Sequence, residues 1–522
     1  MSTIAAPLHR LRAPVARFQA LPATLRVALA VAFLAGFSLA LRTQAIHARY
    51  WIDEGLSVGI ASHPLLDIPG VLRQDGSPPL YYMILGVWLR VFDHGEADTH
   101  ALSIAFAMLL IPAAFAAGRA LFGSRAGWIA ALLAGLNPFI TYYAQETRMY
   151  SLVALLSVAV SGTFVLAFVQ RRRGWLPVYA LSLALVMYTH NWGLFLAMGT
   201  VAALAALIAV TPERRALLRD AVLAYGAVAL VYLPWVPSLL FQARHTGAPW
   251  SNTPGPPDAL AAVTSLLGGA APAMAFGLAA GAGLAGTVAA GRVRSVPGRT
   301  VLALAVMGVA SLAIAWAASQ VSPAWATRYL AVLIGPVLLV GAGGLARGGT
   351  LGTVVVVLLA VFWANPRVHA LETKSNAHTA SVLVRDRLEP GDLVVATHPE
   401  QGPVMHVYLP EGLRWANAMG PVADPRVMDW RDALDRLRAA RPTPTSDALI
   451  RTLAPGQRLL LVQPIIRSAS WGAPWTRLVR RRAVQWERVL DDDPRLLRTL
   501  AAPRLRGRSL PRGVRLVLYE RL

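Results

Sequence analysis

Two adjacent carboxylates, Asp53 and Glu54, follow the first long apolar run of the chain, within residues 50–55 (YWIDEG). A carboxylate at a membrane surface is not needed for folding, but it can take a proton as a general base. Two of them beside aromatic residues indicate the working edge of an enzyme that acts on a lipid. An exposed acidic turn is the plainer interpretation, so the rest of the chain has to be weighed.

A second polar and aromatic patch follows at residues 75–82 (DGSPPLYY). It contains Asp75, Tyr81 and Tyr82, whose carboxylate and hydroxyl groups can hydrogen-bond a polar substrate. We include these three residues in the candidate site as substrate-binding groups.

A third group lies in residues 142–150 (YYAQETRMY), between two apolar runs, and contains Tyr143, Glu146 and Arg148. The two charged side chains are too costly to leave in hydrocarbon, so they must face a cavity, each other or water. The alternative is an interfacial aromatic belt with a surface salt bridge.

Two more junctions carry polar residues. Residues 188–193 (YTHNWG) hold His190 and Asn191, which could hydrogen-bond a sugar, although a belt with a satisfied histidine is the alternative.

Arg328 opens an apolar run from the predicted external side, against the positive-inside bias, and therefore needs a partner. Its planar guanidinium suits phosphate oxygens. A structural pair with Glu146 or Asp53 is the other possibility.

Composition points to a membrane protein with many spans. The chain has 522 residues, of which 56% are hydrophobic and 15% charged, which excludes an ordinary soluble globule. Its net charge of +22 would suggest nucleic acid in a soluble protein. Here the arginines lie mostly in short loops and in the tail, where the positive-inside rule and anionic membrane lipids account for them, so we expect no nucleic-acid partner.

The apolar runs predict eleven to thirteen transmembrane helices. Each is near the length that a helix needs to cross a bilayer, about 20 residues. They fall at 25–42, 99–121, 126–142, 150–169, 175–189, 192–210, 216–240, 271–290, 300–319, 328–345 and 351–365, with a shorter run at 80–92.

Basic loops alternate with weakly charged ones, which places residues 1–24 in the cytoplasm. The predicted external face then gathers the polar segments, including the first external loop, residues 43–79. After residue 367 the apolar runs shorten to strand length, as at Leu393–Ala396, Leu459–Val462 and Val514–Leu518, with helical patterns such as Val427–Ala440 between them. We expect residues 368–522 to form an extracytoplasmic α/β domain.

Several kinds of site are excluded by the sequence itself. The chain has no cysteine, and therefore no disulfide or thiolate metal site. It contains no P-loop, no GxSxG elbow and no HExxH motif, and its histidines are not spaced as zinc ligands. We expect neither a metal site nor a cofactor.

Taken together, these motifs resemble those of the membrane-embedded GT-C glycosyltransferases of the protein mannosyltransferase and lipid A aminoarabinose transferase type, a family 39-like group. The resemblance covers residues 25–365 and rests on the order and spacing of residues 51–54, 75–82, 137–150 and 327–330. Ser77 departs from the pattern, because relatives often have His or Asn there. Residues 390–410 are similar to the external tail of bacterial, especially actinobacterial, members.

The resemblance implies an all-α GT-C transmembrane domain at residues 25–367, followed by the external α/β domain. It also implies an inverting transfer of a sugar, such as mannose or a related hexose or pentose, from a polyprenyl-phosphate donor. The acceptor is a lipid, glycan or protein of the cell envelope, outside the plasma membrane of a bacterium. In this reading Asp53 is the catalytic base and Glu54 orients the acceptor or replaces Asp53. Arg328 and Arg148 bind the donor phosphate.

A polytopic transporter or lipid flippase is the alternative from another functional class. In it, Asp53, Glu54 and Arg148 would line a transport path. The acidic pair lies in a loop, however, whereas transporter sites lie near mid-membrane, and no inverted repeat is evident in the sequence.

Overall fold

The computed structural model describes residues 21–289, 292–365, 368–465, 472–501 and 513–522. Most of the N-terminal tail expected at residues 1–24 therefore lies outside the described residues. The described residues form a helical membrane domain followed by a smaller part that contains a β-sheet, as the sequence predicts.

Eight of the described helices are long and apolar enough to cross a membrane. Three shorter apolar helices accompany them, and one of these, Leu80–Val91, matches the shorter run predicted at 80–92. The long helices are Ala23–Arg42, Glu96–Phe122, Tyr150–Val169, Gly193–Val210, Arg214–His245, Ala270–Val288, Val296–Val321 and Thr327–Arg347. The shorter ones are Leu80–Val91, Ser124–Leu136 and Gly349–Trp363.

Three of the long helices change their winding along their length. Tyr150–Val169 ends in a π-helical turn at Val165–Val169, and Thr327–Arg347 begins with a 3₁₀ segment at Thr327–Leu333. Arg214–His245 passes through a 3₁₀ turn at Leu233–Trp235, where Pro234 cannot supply a backbone N–H. The helix Leu176–Thr189, of 14 residues, matches the run predicted at 175–189. The other α-helices of this part are shorter: Ile52–Ala61, Ile68–Asp75, Pro138–Tyr143 and Pro256–Ser265.

The apolar run predicted at 126–142 is broken at Asn137. The helix Ser124–Leu136 ends there, and the Asn137 side chain accepts a hydrogen bond of 3.0 Å from the Ile140 backbone N–H. Asn137 thereby caps the next helix, Pro138–Tyr143, whose proline at the first position suits a helix start. Tyr143 is the last residue of this short helix, and the buried polar turn at residues 144–149 follows it.

Arg42 secures the first long helix from within. Its side chain is fully buried, and it donates hydrogen bonds of 2.8 and 2.7 Å to the carbonyl oxygens of Ala107 and Ala134. A buried guanidinium must be satisfied in this way, because water is excluded from its surroundings. Arg42 therefore holds the helices Glu96–Phe122 and Ser124–Leu136 at the point where the chain turns into the first loop.

The C-terminal part forms a six-stranded mixed sheet. Its strands are β1 (Leu393–Ala396), β2 (Arg414–Asn417), β3 (Gly420–Val422), β4 (Arg458–Ile465), β5 (Leu496–Ala501) and β6 (Gly513–Arg521). The order is β3-β2-β1-β4-β6-β5, with β1 parallel to β2 and β4 and the other pairs antiparallel. The associated helices are Val368–Glu372, Ala377–Val382, Gln401–Tyr408, Ala433–Ala439, Pro442–Ile450 and Pro474–Asp491.

All three predicted strands are present, but the helix predicted over Val427–Ala440 is wrong in its first half. The helix covers only Ala433–Ala439, because Asp432 adopts a left-handed backbone conformation with φ of 49°. Upstream, Asp429 forms ion pairs of 2.8 and 2.7 Å with Arg431 and Arg436. These pairs stabilise an irregular loop in place of the expected helical faces.

The sheet and its helices, here called the C-terminal domain, pack directly on Ile52–Ala61, here called the acidic helix. Gly55 and Gly59 lie one helical turn apart, and the backbones of Val404 and Arg426 approach them so closely that a Cβ at either glycine would overlap. Beside this contact, His63 Nε2 lies 2.6 Å from Asp424 Oδ2. The C-terminal domain therefore covers the segment that carries Asp53 and Glu54.

Candidate active site

Asp53 and Glu54 are the second and third residues of the acidic helix, which begins after Trp51. Carboxylates in a first helical turn are stabilised by the helix dipole. Successive residues on a helix point about 100° apart, so the two side chains face different surroundings. Asp53 faces a cavity, whereas Glu54 is fully buried.

The cavity has a volume of about 1030 Å³ and lies between the membrane helices and the C-terminal domain. Six of the eleven predicted site residues line it, and five do not. Those in the lining are Asp53, Asp75, Arg148, His190, Asn191 and Arg328. Those outside it are Glu54, Tyr81, Tyr82, Tyr143 and Glu146.

Arg328 lies next to Asp53, with Nη2 at 3.4 Å from Oδ2. The two side chains are only 16% and 15% exposed. Three aromatic rings surround the guanidinium, those of Trp51, Trp250 and Tyr329, with their centroids 5.3–5.8 Å from its Cζ. Aromatic faces favour a cation and leave its N–H groups available. The three rings therefore stabilise the charged guanidinium of Arg328 and leave its N–H groups free to bind an anion.

The segment that carries Arg328 is fixed from below by Ser157. The Ser157 hydroxyl donates to the Val332 carbonyl oxygen at 2.5 Å and accepts from the Gly335 N–H at 3.0 Å. Gly335 packs against the Ser157 backbone, where a Cβ would overlap. These contacts fix the position of the 3₁₀ segment Thr327–Leu333 along the helix Tyr150–Phe164.

Arg148 brings a second guanidinium to the cavity and ties it to the acidic helix. Its Nη1 donates to the Asp53 carbonyl oxygen at 3.3 Å, to Ser57 Oγ at 3.0 Å and to the Tyr82 hydroxyl at 3.5 Å. Tyr82 thereby supports Arg148 from outside the cavity. Tyr81 is also fully buried and packs edge-on against Tyr82.

Asp75 is the last residue of the helix Ile68–Asp75, which ends at Gly76 in a left-handed conformation with φ of 96°. Burial raises the pKa of Asp75, and hydrogen bonding from Ser77 opposes that shift. Among the described residues, Asp75 Oδ2 has no hydrogen-bond partner. Asn191 fixes this corner by donating a hydrogen bond of 2.9 Å to the Gly76 carbonyl oxygen.

His190 lies at the start of the turn into Gly193–Val210, and its Nδ1 accepts a hydrogen bond of 3.1 Å from the Trp192 backbone N–H. Burial, together with the charges of Arg148 and Arg328, lowers the pKa of His190 to about 3. The ring is therefore neutral near pH 7, with its proton on Nε2. It can donate one hydrogen bond into the cavity.

Tyr143 lines a second cavity of about 260 Å³, together with Phe139 and Thr327. Its ring packs edge-on against Tyr150 at a centroid distance of 5.0 Å. Glu146 is buried, with 1% of its surface exposed, in the turn that leads to Arg148. Neither residue lines the main cavity.

Four groups contact the Glu54 carboxylate. Its Oε1 lies 2.7 Å from His100 Nε2 and accepts from the Thr147 N–H at 2.8 Å. Its Oε2 lies 2.5 Å from Lys374 Nζ and accepts from the Trp51 N–H at 3.3 Å. Burial alone raises the pKa of Glu54, but the charges of Lys374 and His100 outweigh burial and hold the pKa below its ordinary range.

Comparisons with known proteins place the fold. No protein-family model and no curated protein matches the chain. Among solved structures, ArnT from Cupriavidus metallidurans in the apo state aligns with a TM-score of 0.64 at 14% identity, over 94% of this chain and 98% of that one. ArnT bound to undecaprenyl phosphate aligns with a TM-score of 0.62, also at 14% identity, over 95% and 98%. The chain has the GT-C fold.

A more distant neighbour is the archaeal oligosaccharyltransferase AglB from Archaeoglobus fulgidus, in complex with an inhibitory peptide and a dolichol-phosphate. It aligns with a TM-score of 0.55 at 11% identity, over 83% of this chain and 68% of AglB. The ArnT and AglB alignments are both long enough to include part of the C-terminal domain together with the membrane domain.

Sequence reasoning missed the wall of this GT-C cavity that comes from the C-terminal domain. His398, Glu400, Trp430 and Thr476 line it there. Glu400 Oε1 accepts a 2.9 Å hydrogen bond from Trp475 Nε1 and lies 3.0 Å from His398 Nε2. No local signal marks these residues, because they reach the cavity only when the sheet docks on the acidic helix.

His100 and Lys374 were missed as partners of Glu54 for the same reason. The one available signal was that Lys374 is the single lysine among 49 basic residues. Within the described ranges, no three His, Asp or Glu side chains are grouped so that they could hold a metal ion.

Proposed function

We propose that the protein is an integral membrane glycosyltransferase that moves a sugar from a polyprenyl-phosphate donor to a hydroxyl group of an acceptor. One observation carries the proposal: a carboxylate, Asp53, and two guanidinium groups, Arg148 and Arg328, meet in one cavity where the membrane helices join the C-terminal domain. ArnT, whose fold this chain shares, has been solved with undecaprenyl phosphate bound.

The charges of the cavity suit such a donor. A polyprenyl-phosphate sugar carries one negative charge between an apolar tail and a polar sugar. Arg328, with its surrounding rings, offers a guanidinium close to the boundary of the apolar helices, and Arg148 offers a second one beside Asp53. Guanidinium groups bind phosphate oxygens through paired, charge-assisted hydrogen bonds.

In the proposed reaction, the acceptor oxygen attacks the anomeric carbon from the face opposite the phosphate. The bond from carbon to acceptor oxygen forms as the bond from carbon to phosphate oxygen breaks, which inverts the configuration. Asp53 takes the acceptor proton, and the polyprenyl phosphate leaves with the electron pair. Arg328 and Arg148 stabilise the charge that develops on the leaving phosphate.

The other cavity residues fit binding of two polyols. Neutral His190 donates a hydrogen bond, and Asp75 accepts one on the membrane side. On the opposite wall, Glu400 is oriented by Trp475 and faces the same space. We assign the membrane-side wall to the donor and the C-terminal wall to a cell-envelope acceptor, with both on the outer face of a bacterial plasma membrane.

The test uses purified full-length protein in detergent or nanodiscs with polyprenyl-phosphate mannose, arabinose or glucose. We expect release of polyprenyl phosphate, measured by mass spectrometry, and transfer to an added glycan or lipid acceptor with inverted configuration. Asp53→Asn is the matched inactive control. If no donor is consumed while proteoliposomes move the intact lipid between leaflets, the protein is a flippase and the proposal fails.

A further inference from the structure

Glu54 has its hydrogen-bonding capacity occupied by protein groups. A carboxylate offers about four acceptor positions, and the two oxygens of Glu54 face His100, the Thr147 N–H, Lys374 and the Trp51 N–H. Its side chain is 0% exposed. A general base must present a free oxygen to the proton that it removes, and Glu54 presents none to the cavity.

The four groups come from four separate parts of the chain. Trp51 precedes the acidic helix, and His100 lies in the helix Glu96–Phe122. Thr147 belongs to the turn that contains Arg148, and Lys374 follows the short helix Val368–Glu372. The His100 ring also continues the network, because its Nδ1 lies 2.7 Å from the Ile46 carbonyl oxygen.

These attachments bear directly on the two charged groups of the cavity. Asp53 is the chain neighbour of Glu54, and its carbonyl oxygen accepts a hydrogen bond from Arg148. Arg148 is the chain neighbour of Thr147, whose N–H is bound to Glu54. A shift of the Glu54 carboxylate would therefore move the backbones of both residues at once.

We propose that Glu54 is a positioning residue, which acts with Lys374 and His100 to hold Asp53 and Arg148 in fixed positions relative to each other in the cavity. The proposal rests on the proposed glycosyl transfer, since it assigns a role within that site. It makes Lys374, which the sequence assigns to the tail, a required part of the membrane-side machinery. Loss of the Glu54 charge leaves the Lys374 ammonium group buried and uncompensated, which is strongly destabilising. Loss of Lys374 leaves Glu54 paired with His100.

The first test measures activity in a double-variant cycle. Glu54→Gln and Lys374→Met should each lower turnover of the polyprenyl-phosphate sugar strongly. The double variant removes both charges, while the introduced glutamine can still accept a hydrogen bond from the Thr147 N–H. It should therefore recover about tenfold or more over the Glu54→Gln single variant. If Glu54 takes part in the chemistry, the double variant stays as inactive as Glu54→Gln, and the proposal is overturned.

A control separates rescue of position from a general effect of Lys374→Met. Asp53→Asn combined with Lys374→Met should show no recovery, because Asp53 belongs to the reacting groups. Recovery of that pair to the same degree as Glu54→Gln with Lys374→Met would also contradict the proposal. An unchanged KM for the donor in the rescued variant would indicate that alignment was restored and that binding had not been altered.

The second test does not depend on activity. Lys374 is the single lysine, so an amine-reactive N-hydroxysuccinimide ester followed by peptide mass spectrometry reports its reactivity alone. In the folded wild-type protein it should react at least about tenfold more slowly than in denatured protein, since an ion-paired buried ammonium group is a poor nucleophile. Glu54→Gln should raise the reactivity of Lys374 in the folded protein by severalfold, because it removes the ion pair while the burial of the lysine remains.

Glu372→Gln is the matched control, because it removes an exposed carboxylate two residues from Lys374 and should leave the protection intact. If wild-type Lys374 reacts as fast in folded as in denatured protein, the ion pair does not exist and the inference fails. If instead no donor supports wild-type turnover but the protection pattern holds, the proposed function fails while the Glu54–Lys374 anchor stands.

Discussion

Arg328 Nη2 lies 3.4 Å from Asp53 Oδ2, so the two groups assigned to the donor phosphate and to the acceptor proton are ion-paired with each other. A phosphate that binds Arg328 must therefore compete with Asp53. We expect donor binding to take the guanidinium away from Asp53 and leave that carboxylate free to act as a base. Binding and activation are then coupled through one arginine.

The first prediction follows from this competition. Asp53→Asn should lower turnover by about 10²–10⁴-fold because the base is lost. The same variant should bind polyprenyl phosphate more tightly, by about fivefold, since a pair of this kind contributes up to about 1 kcal/mol. Turnover comes from carrier release and affinity from a lipid-titrated thermal shift. Weaker lipid binding in Asp53→Asn would contradict the exchange of partners.

Arg328 variants give the second prediction. Arg328→Ala should lose most of the stabilisation that polyprenyl phosphate confers, and Arg328→Lys should keep part of it, because lysine retains the charge but lacks the planar fork. Arg125→Ala, which changes an exposed arginine, is the control. If Arg328→Ala collapses the apo protein while the surviving fraction still responds to lipid, Arg328 is purely structural.

Asp75 gives a prediction about pH. Because burial raises its pKa in the folded state, ionisation of Asp75 works against folding. Asp75→Asn should therefore raise the unfolding temperature near pH 7. That advantage should shrink as pH falls through the folded pKa and vanish below the unfolded value of about 3.9, where both forms are neutral. Asp93→Asn is the control, because it removes a carboxylate from a side chain that is 88% exposed.

Glu400 tests the assignment of the two walls. Glu400→Gln keeps the size of the side chain and the hydrogen bond from Trp475, but it removes the charge that faces the cavity. We expect the KM for the acceptor to rise about tenfold, as for loss of a charged hydrogen bond, with the donor KM unchanged. A higher donor KM with an unchanged acceptor KM would reverse the assignment.

Orientation can be tested with fusions in a bacterial host. The charge pattern of the loops predicts that residues 1–24 lie inside and residues 368–522 outside. A C-terminal alkaline phosphatase fusion should be active, and a C-terminal green fluorescent protein fusion exported by the general secretory route should be dark. The opposite result would mean that the number of crossings has the other parity.

Much of the fold could be predicted because its signals are local. Apolar runs mark the membrane helices, and the three predicted strands match β1, β4 and β6. Local patterns could not show where a helix breaks for tertiary reasons. Asn137 splits one apolar run by capping the following helix. The left-handed conformation of Asp432 removes the first half of the helix predicted over Val427–Ala440.

The residues of the candidate site also divide into those that local sequence signals reveal and those that depend on distant contacts. Asp53 and Arg328 could be selected because a charge at a junction of apolar runs has to have a partner, and their pairing was one of the alternatives that the sequence left open. The neighbour of Asp53, Glu54, has the same local context, yet a helix turns it towards His100 and Lys374. A domain boundary drawn at residue 368 also separates Lys374 from its partner, since sequence cannot show contacts between distant segments.

The close contact at Gly55 and Gly59 has a mechanical consequence. Because the backbones of Val404 and Arg426 pack directly against these glycines, the acidic helix and the C-terminal domain form one rigid unit. Arg328 belongs instead to the segment anchored by Ser157. The acidic helix is also fastened to the membrane helices, because Glu54 contacts His100 and the Thr147 N–H. A displacement of the C-terminal domain would therefore load these contacts before it could change the distance from Asp53 to Arg328.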